Sequence, residues 1–250
     1  MTGTDSEQTR EWFRDWFGEE YLALYPHRDA AEAEEAVELY LETVPPGEGR
    51  VLDLASGAGR HVRELKRRGI QAVGLDLSAV LLREAKREDS VLPIVRGDMR
   101  ELPFADSSFG GLTSFFTSFG YFDTVEEDRH VIRHIRRILT TGGAFMLDFF
   151  NSCRVRTRLV PEDIRWFGDK RVTQTRTIDG DIVVKSIVID PTDSSESVRT
   201  FEERVRLYDA AQLDSMLREH GLNAEFRFGD YSGSSFTEDS DRLILAGHAR

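Results

Sequence analysis

The sequence predicts an α/β protein built on a doubly wound, mostly parallel sheet. Short apolar runs alternate with segments of helical period between residues 50 and 150. The first run, residues 51–54, enters a small-residue turn at 55–59, and a helical pattern follows it. A second apolar run then ends on Asp76. This order of strand, turn, helix and strand indicates a right-handed crossover between parallel strands.

The turn and the acid that follows it predict a nucleoside site. Gly57 and Gly59 have no Cβ, so a ligand can lie against the backbone at the start of the helix. Asp76 ends the second strand, where a carboxylate can accept both hydroxyls of a ribose. The dinucleotide fingerprint needs a third glycine where Val62 stands. An adenosine derivative without a pyrophosphate is therefore expected.

Four segments carry a family resemblance. The stretches LDLASGAGR, GLDLS, GDMRELPF and RRILTTGGAFMLDFF resemble, in the right order, the motifs of class I S-adenosylmethionine-dependent methyltransferases. The pattern is most similar to small-molecule N-methyltransferases of the glycine and sugar-amine type. This resemblance implies a Rossmann-like, seven-stranded methyltransferase sheet, with S-adenosylmethionine as cofactor and S-adenosylhomocysteine as product.

We expect three parts in the chain. Residues 1–44 form an N-terminal helical cap, and residues 45–150 with 209–250 form the cofactor-binding core. Residues 151–208 are expected to form an antiparallel β insertion, because strand-like runs at 171–178, 182–189 and 198–207 are separated by turn signals. One face of the insertion is expected to cover the active site as a lid, and the other is a candidate homodimer surface.

Residues 11–25 are rich in aromatic side chains at helical spacing, which predicts an amphipathic helix packed on the core. Tyr21, Tyr25 and Arg28 resemble the N-terminal cap of the small-molecule N-methyltransferases. The resemblance implies that Tyr25 and Arg28 lie over the methionine half of the cofactor, where Arg28 would pair with its carboxylate. A solvated arginine at the start of a helix is the alternative.

Further cofactor contacts are expected at the strand ends and around the turn. Asp98 follows the third apolar run, where it can accept the adenine amino group while Met99 covers the ring. His61 matches a histidine of the sugar-amine enzymes, although a lone histidine at a helix start is more often a capping or core group. The full set of candidate cofactor-binding residues is Tyr25, Arg28, Ala55, Gly57, Gly59, His61, Asp76, Leu77, Asp98, Met99 and Phe115.

Tyr121 is the candidate catalytic residue. It lies in FTSFGYF, which resembles the loop of the small-amine enzymes in which this position is often histidine. A phenol is a weaker base than imidazole near neutral pH. Methyl transfer is an in-line displacement, and it needs a base only when the nucleophile arrives protonated. The sequence does not decide between nitrogen and oxygen as the acceptor atom.

The net charge of the chain limits the classes of partner that we expect. The chain has 33 Lys and Arg against 45 Asp and Glu, a net charge of −12, which opposes general binding to nucleic acid or anionic membranes. We therefore expect a small-molecule acceptor. Two alternatives stay open: a protein or RNA methyltransferase, because basic clusters occur at 63–68 and 154–158, and an adenosine-binding protein that is not a methyltransferase.

Cysteine and histidine usage predicts neither a disulfide framework nor a metal site. Cys153 is the single cysteine, and His130 and His134 lie four residues apart without a third ligand in the pattern. The N-terminal stretch is polar, and no run approaches 18 apolar residues. A cytoplasmic protein is expected.

Overall fold

A computed structural model describes residues 11–25, 30–193 and 197–250. Its strands, numbered along the chain, are β1 Arg50–Leu54, β2 Ala72–Asp76, β3 Ile94–Arg96, β4 Phe109–Ser114, β5 Leu139–Phe150, β6 Glu162–Phe167, β7 Lys170–Asp179, β8 Ile182–Pro191, β9 Arg199–Arg206, β10 Leu222–Phe228 and β11 Arg242–Ala249. Its helices are α1 Trp12–Trp16, α2 Glu19–Leu24, α3 Ala30–Thr43, α4 Arg60–Arg67, α5 Ala79–Glu88, α6 Val125–Ile138, α7 Ser152–Arg158 and α8 Ala210–Glu219. None of these described helices is long and apolar enough to cross a membrane.

Seven strands form the central sheet in the order β10-β11-β5-β4-β1-β2-β3. Strands β1 to β5 run parallel, while β11 is antiparallel to both β5 and β10. The chain winds outwards from β1 to β3 and then restarts at β4 on the other side of β1. The predicted doubly wound, seven-stranded sheet is confirmed, and its strand order reverses between β1 and β4, where a ligand crevice forms.

Both faces of this sheet are covered by helices. One apolar layer includes Val37 of α3 and Leu65 of α4, which pack against one face. The layer on the opposite face includes Ile132 of α6 and Leu213 of α8. The central strands β1, β2 and β4 are buried along almost their whole length because they have helices on both sides.

The N-terminal aromatic segment forms two short helices, not one. Helix α1 ends at Trp16, and Gly18 then adopts an extended conformation before α2 begins. Phe13 packs into the main core, as the amphipathic pattern predicts. Trp16 packs against the insertion: it is fully buried, and its ring centroid lies 5.0 Å from that of Phe201 on β9. The break lets the aromatic side chains face two different partners.

The insertion is a separate antiparallel sheet with the order β6-β7-β8-β9. Its antiparallel character agrees with the prediction, but the prediction has only three strands and lacks both β6 and the preceding helix α7. One face of the sheet packs on the N-terminal helices, where Val172, Ile187 and Ile189 surround Trp16 and Leu24. The insertion and the N-terminal helices therefore share one apolar cluster.

Candidate active site

A cavity of about 1470 Å³ opens at the carboxyl ends of β1, β2 and β4. The N-terminal helices and the inner face of the insertion sheet form its other walls. Binding sites for small ligands usually measure roughly 300–1,000 Å³. This cavity therefore has room for two ligands side by side.

The glycine-rich turn forms one wall of the cavity. Ala55 and Gly57 line it, and both have a positive φ, 57° and 55°. A Cβ added to Gly57 would touch only Leu81 Cδ1, at 3.8 Å, so the bare backbone faces open space. Gly59 does not line the cavity: with φ of 76°, it is the N-cap residue of α4, and a Cβ there would lie 2.5 Å from Leu92 Cδ2. Close packing accounts for Gly59.

Asp76 is held in a fixed orientation at the end of β2. Its Oδ2 accepts the backbone N–H of Gly57 at 2.8 Å, and its Oδ1 accepts that of Ser78 at 2.8 Å. Burial raises the pKa of Asp76, while backbone donors, including these two, oppose the rise. The side chain lines the cavity beside Leu77. Each carboxylate oxygen keeps a further lone pair for a ligand hydroxyl.

Asp98 and Met99 line the same cavity beyond β3. The Arg100 guanidinium donates to both oxygens of Asp98, at 3.1 Å from Nε and 2.7 Å from Nη2. Burial raises the pKa of Asp98, but the bonds from Arg100 outweigh burial and hold the pKa below its ordinary value. Asp98 is thus an ionised acceptor shared with Arg100, a partner that the sequence reasoning did not identify.

His61 and Phe115 lie together beneath the turn. Their ring centroids are 4.5 Å apart, and both side chains line the cavity. His61 Nδ1 lies 3.9 Å from Oδ2 of Asp53, a fully buried acid whose Oδ1 accepts the hydroxyl of Thr113 at 3.0 Å. Burial raises the pKa of Asp53 to about 7. The sequence reasoning did not propose a role for Asp53, although an acid inside an apolar strand is a signal for one.

Tyr25 and Tyr121 line the side of the cavity nearer the insertion and the N-terminal helices. Tyr25 Oη accepts a hydrogen bond from Lys185 Nζ of β8 at 2.8 Å. The Tyr121 ring packs edge-on against Trp12, with centroids 4.9 Å apart. Arg28, the proposed partner of the methionine carboxylate, lies outside the described residues.

A second cluster at the cavity wall was missed by the sequence reasoning. Two guanidinium groups lie over the Phe116 ring, Arg60 at 4.1 Å and Arg242 at 4.4 Å from its centroid. Buried Asp148 accepts the Phe116 N–H at 2.7 Å, the Tyr231 hydroxyl at 2.6 Å and Arg242 Nη1 at 2.8 Å. Burial raises the pKa of Asp148 against the charge of Arg242. The acid within the apolar stretch LDFF was the available signal.

These features fit an adenosine cofactor. A carboxylate with free lone pairs stands at the end of β2, an acceptor and a thioether follow β3, and bare backbone faces the cavity at Gly57. The described part of the chain holds no cluster of three or more His, Cys, Asp or Glu side chains suited to a metal ion.

Comparison with known proteins supports this assignment. Residues 52–147 match a family model described as a methyltransferase domain. A cypemycin N-terminal methyltransferase from a Streptomyces species is 29% identical over 80% of this chain and 83% of its own length. A dTDP-4-amino-2,3,4,6-tetradeoxy-D-glucose N,N-dimethyltransferase from Saccharopolyspora spinosa is 26% identical over 82% of this chain and 83% of its own length.

Solved structures share the fold. An S-adenosylmethionine-dependent methyltransferase from Clostridium acetobutylicum superposes with a TM-score of 0.79 at 18% identity, covering 92% of this chain and 96% of its own. A sugar N-methyltransferase from a Streptoalloteichus species gives a TM-score of 0.70 at 21% identity over 92% and 94%. The motifs, the family match and the relatives agree with the cavity chemistry. The chain is an S-adenosylmethionine-dependent methyltransferase with the Rossmann-like class I fold.

Proposed function

We propose that this enzyme transfers a methyl group to a nitrogen or oxygen atom of a small molecule bound in the cavity. The observation that carries the proposal is one continuous cavity that joins the glycine turn and Asp76 to a wide space beneath the insertion. Relatives named as sugar-amine dimethyltransferases support a small acceptor. The negative charge of the chain opposes RNA as the acceptor.

We propose roles for the cofactor-binding residues, and their positions on the cavity wall support these roles. Asp76 would accept the ribose hydroxyls, Asp98 would accept the adenine amino group, and Leu77 and Met99 would cover the ring. Ala55 and Gly57 of the turn would hold the methionine tail, with His61, Phe115 and Tyr25 around it. The proposed role of Arg28 rests on the sequence resemblance, and Gly59 shapes the turn through packing. When bound, S-adenosylmethionine supplies an electrophilic methyl group on a sulfonium.

The residues of the chain align the reaction and exclude water. Trp12, Phe17 and Tyr21 form a continuous aromatic wall over the cavity, with ring centroids 5.8 Å and 5.0 Å apart along the series. Enclosure by such a wall holds a nucleophile in line and keeps water from competing with it. We propose Tyr121 as the residue that contacts the acceptor at the point of transfer. Its phenol orients the nucleophile through a hydrogen bond.

The acceptor side of the cavity carries positive charge. Five cationic side chains of α7 and the insertion line it, and they pair with four carboxylates: Arg154, Arg158, Arg165, Arg176 and Lys185 with Asp163, Glu203, Asp239 and Asp241. Arg165 and Arg176 share Asp163, which leaves an excess of one positive charge in a chain whose net charge is −12. We therefore propose that the acceptor has an anionic group, which these side chains hold by charge-assisted hydrogen bonds.

A panel of acceptors tests this function. Purified enzyme is given S-adenosylmethionine with glycine, a dTDP-amino sugar, a short peptide with a free N-terminus, or tRNA, and release of S-adenosylhomocysteine is measured. We expect turnover with the anionic amino sugar and none with tRNA.

Arg165→Gln is expected to raise KM for that sugar about tenfold, the effect of one charged contact. The matched control Arg204→Gln should leave KM unchanged, because Arg204 does not line the cavity. Turnover with tRNA alone would contradict the proposal.

We also propose a homodimer formed through the outer face of the insertion. Ile164 and Trp166 on β6 are 44% and 61% exposed, which is high for large apolar side chains on one face of an edge strand. Light scattering should show a dimer for the wild type and a monomer for Trp166→Asp. A monomeric wild type at micromolar concentration would refute the dimer.

The cytoplasmic location expected from the sequence also stays a proposal.

A further inference from the structure

The loop between β4 and α6 presents Tyr121 to the cavity, and the insertion fixes its shape. At the end of β9, the backbone N–H of Arg206 donates to the carbonyl of Gly120 at 2.8 Å. The Arg206 side chain also reaches the loop, because its Nη2 donates to the carbonyl of Asp123 at 2.8 Å. These two bonds bracket Tyr121 on both sides along the chain.

Arg206 itself is held firmly. The residue is only 8% exposed, and its Nη1 bonds to Asp181 Oδ2 at 3.0 Å in the turn between β7 and β8. Its Nε lies 3.8 Å from Oδ2 of Asp128 on α6, and the same oxygen accepts the Tyr208 hydroxyl at 2.7 Å. One guanidinium group therefore joins the insertion, the loop and the start of α6.

The loop is built for this close approach. Gly120 has φ of 80°, a conformation that L side chains rarely adopt. A Cβ added there would lie 3.3 Å from the carbonyl oxygen and 3.5 Å from the nitrogen of Arg206. The backbones of the loop and β9 thus meet directly, with no side chain between them.

We propose that Arg206 is the positioning residue of the acceptor loop, through which the insertion places Tyr121 at the point of methyl transfer. Arg206 does not line the cavity, so it acts through the loop and not on a ligand. The guanidinium group donates a hydrogen bond to the loop carbonyl of Asp123, and it is not part of the cavity wall around the proposed adenosine site. This inference rests on the proposed function of Tyr121, but the order of the loop can be measured without any acceptor.

Hydrogen–deuterium exchange on the free enzyme gives the first test. Arg206→Met removes the side-chain bonds but keeps the backbone bond to Gly120. We expect amides of the peptide covering 117–124 to exchange about tenfold faster, while peptides from β1 and α4 keep the wild-type rate. Arg204→Met is the matched control. In the part of the chain that the structure describes, the Arg204 side chain bonds only to Glu202. Unchanged exchange at 117–124 in folded Arg206→Met would overturn the inference.

Kinetics give the second test, with the amino sugar used above as acceptor. Arg206→Met is expected to lower kcat at least 20-fold while KM for S-adenosylmethionine stays within threefold. Arg206→Lys should recover part of the rate, because an ammonium group can reach one of the two oxygens that the guanidinium bridges. A faster-exchanging loop with an unchanged kcat would refute positioning. An inactive wild type would instead count against the proposed acceptor, while the exchange result would still decide the role of Arg206.

Discussion

At the scale of single residues, Asp76 is the most sharply defined group of the site. Two backbone donors orient its oxygens before any ligand arrives, since the N–H groups of Gly57 and Ser78 bond one oxygen each. Folding therefore already orders this carboxylate, and ligand binding loses no further free energy in ordering it. Asp98 has a different arrangement, because Arg100 already neutralises it.

Asp76→Ala is expected to weaken binding of S-adenosylhomocysteine by about 2–4 kcal/mol, because a charged acceptor for two hydroxyls is lost. Titration calorimetry measures this directly. Asp89→Ala is the control: it removes an acid of the same type that pairs with Lys66 outside the cavity. An affinity of Asp76→Ala within threefold of the wild type would remove Asp76 from the site.

At the scale of elements, Ser78 connects the core with the N-terminal helices. Its side chain caps α5 by accepting the N–H of Leu81 at 3.1 Å. The same hydroxyl donates to the carbonyl of Phe17 at 2.5 Å, which the sequence could not show. One side chain therefore ends the turn after β2 and holds the aromatic segment over the cavity.

Ser78→Ala should lower the free energy of unfolding by about 2 kcal/mol, roughly half from the cap and half from the bond to Phe17. Thr124→Ala serves as the comparison, because Thr124 caps α6 through a capping box and, among the residues that the structure describes, its side chain bonds only to Glu127. That change should cost about 1 kcal/mol. Urea denaturation measures both. Equal losses would mean that the bond to Phe17 contributes nothing.

The sequence predicted the core elements well because their signals are local. The glycine turn and the apolar runs of β1 and β2 are each complete within a few residues. Helix α7 was missed because SCRVRTR has a single aliphatic residue and no apolar stripe. Strand β6 was missed because the alternation in EDIRWF is short: only Ile164 and Trp166 alternate with charged residues before Phe167 interrupts the pattern.

Long-range partners could not be predicted from local patterns. Arg242 reaches Asp148 because β11 pairs antiparallel with β5, in a register that places Arg242 opposite Phe150. Lys185 reaches Tyr25 only because the insertion packs on the N-terminal helices. Of the twelve candidate site residues, ten line the cavity and Arg28 lies outside the described residues. Gly59 illustrates the same limit, because its close packing against Leu92 is a long-range contact.

At the scale of the whole molecule, buried acids connect stability to pH. Burial raises the pKa of Asp128 to about 7, although the Tyr208 hydroxyl and Arg206 oppose the rise. In the unfolded chain the pKa of an aspartate is about 3.9. Between these values the folded state keeps a proton that the unfolded state has lost. The folded state is therefore favoured at low pH, and this contribution is lost as the pH rises to about 7.

Asp128→Asn removes that proton equilibrium with little change of shape. We expect the free energy of unfolding of the wild type to fall more steeply from pH 5 to pH 8 than that of the variant. Urea denaturation at four pH values gives both curves, and buried acids such as Asp53 act equally in each. Parallel curves would show that Asp128 is ionised throughout this range in the folded protein.

The central claim is that the cofactor lies against the bare backbone of the glycine turn. Two glycines allow a direct test, because Gly57 and Gly180 have nearly equal φ, 55° and 58°. Both also have room for a side chain: an added Cβ meets no protein atom closer than 3.8 Å at Gly57 and none within 4 Å at Gly180. Valine strains both turns alike, but only Gly57 faces the cavity. The measurement is calorimetric titration of folded Gly57→Val and Gly180→Val with S-adenosylhomocysteine. We predict wild-type affinity for Gly180→Val and a loss of at least about 100-fold, or about 2.7 kcal/mol, for Gly57→Val. Equal affinities for the two variants would contradict the site described above.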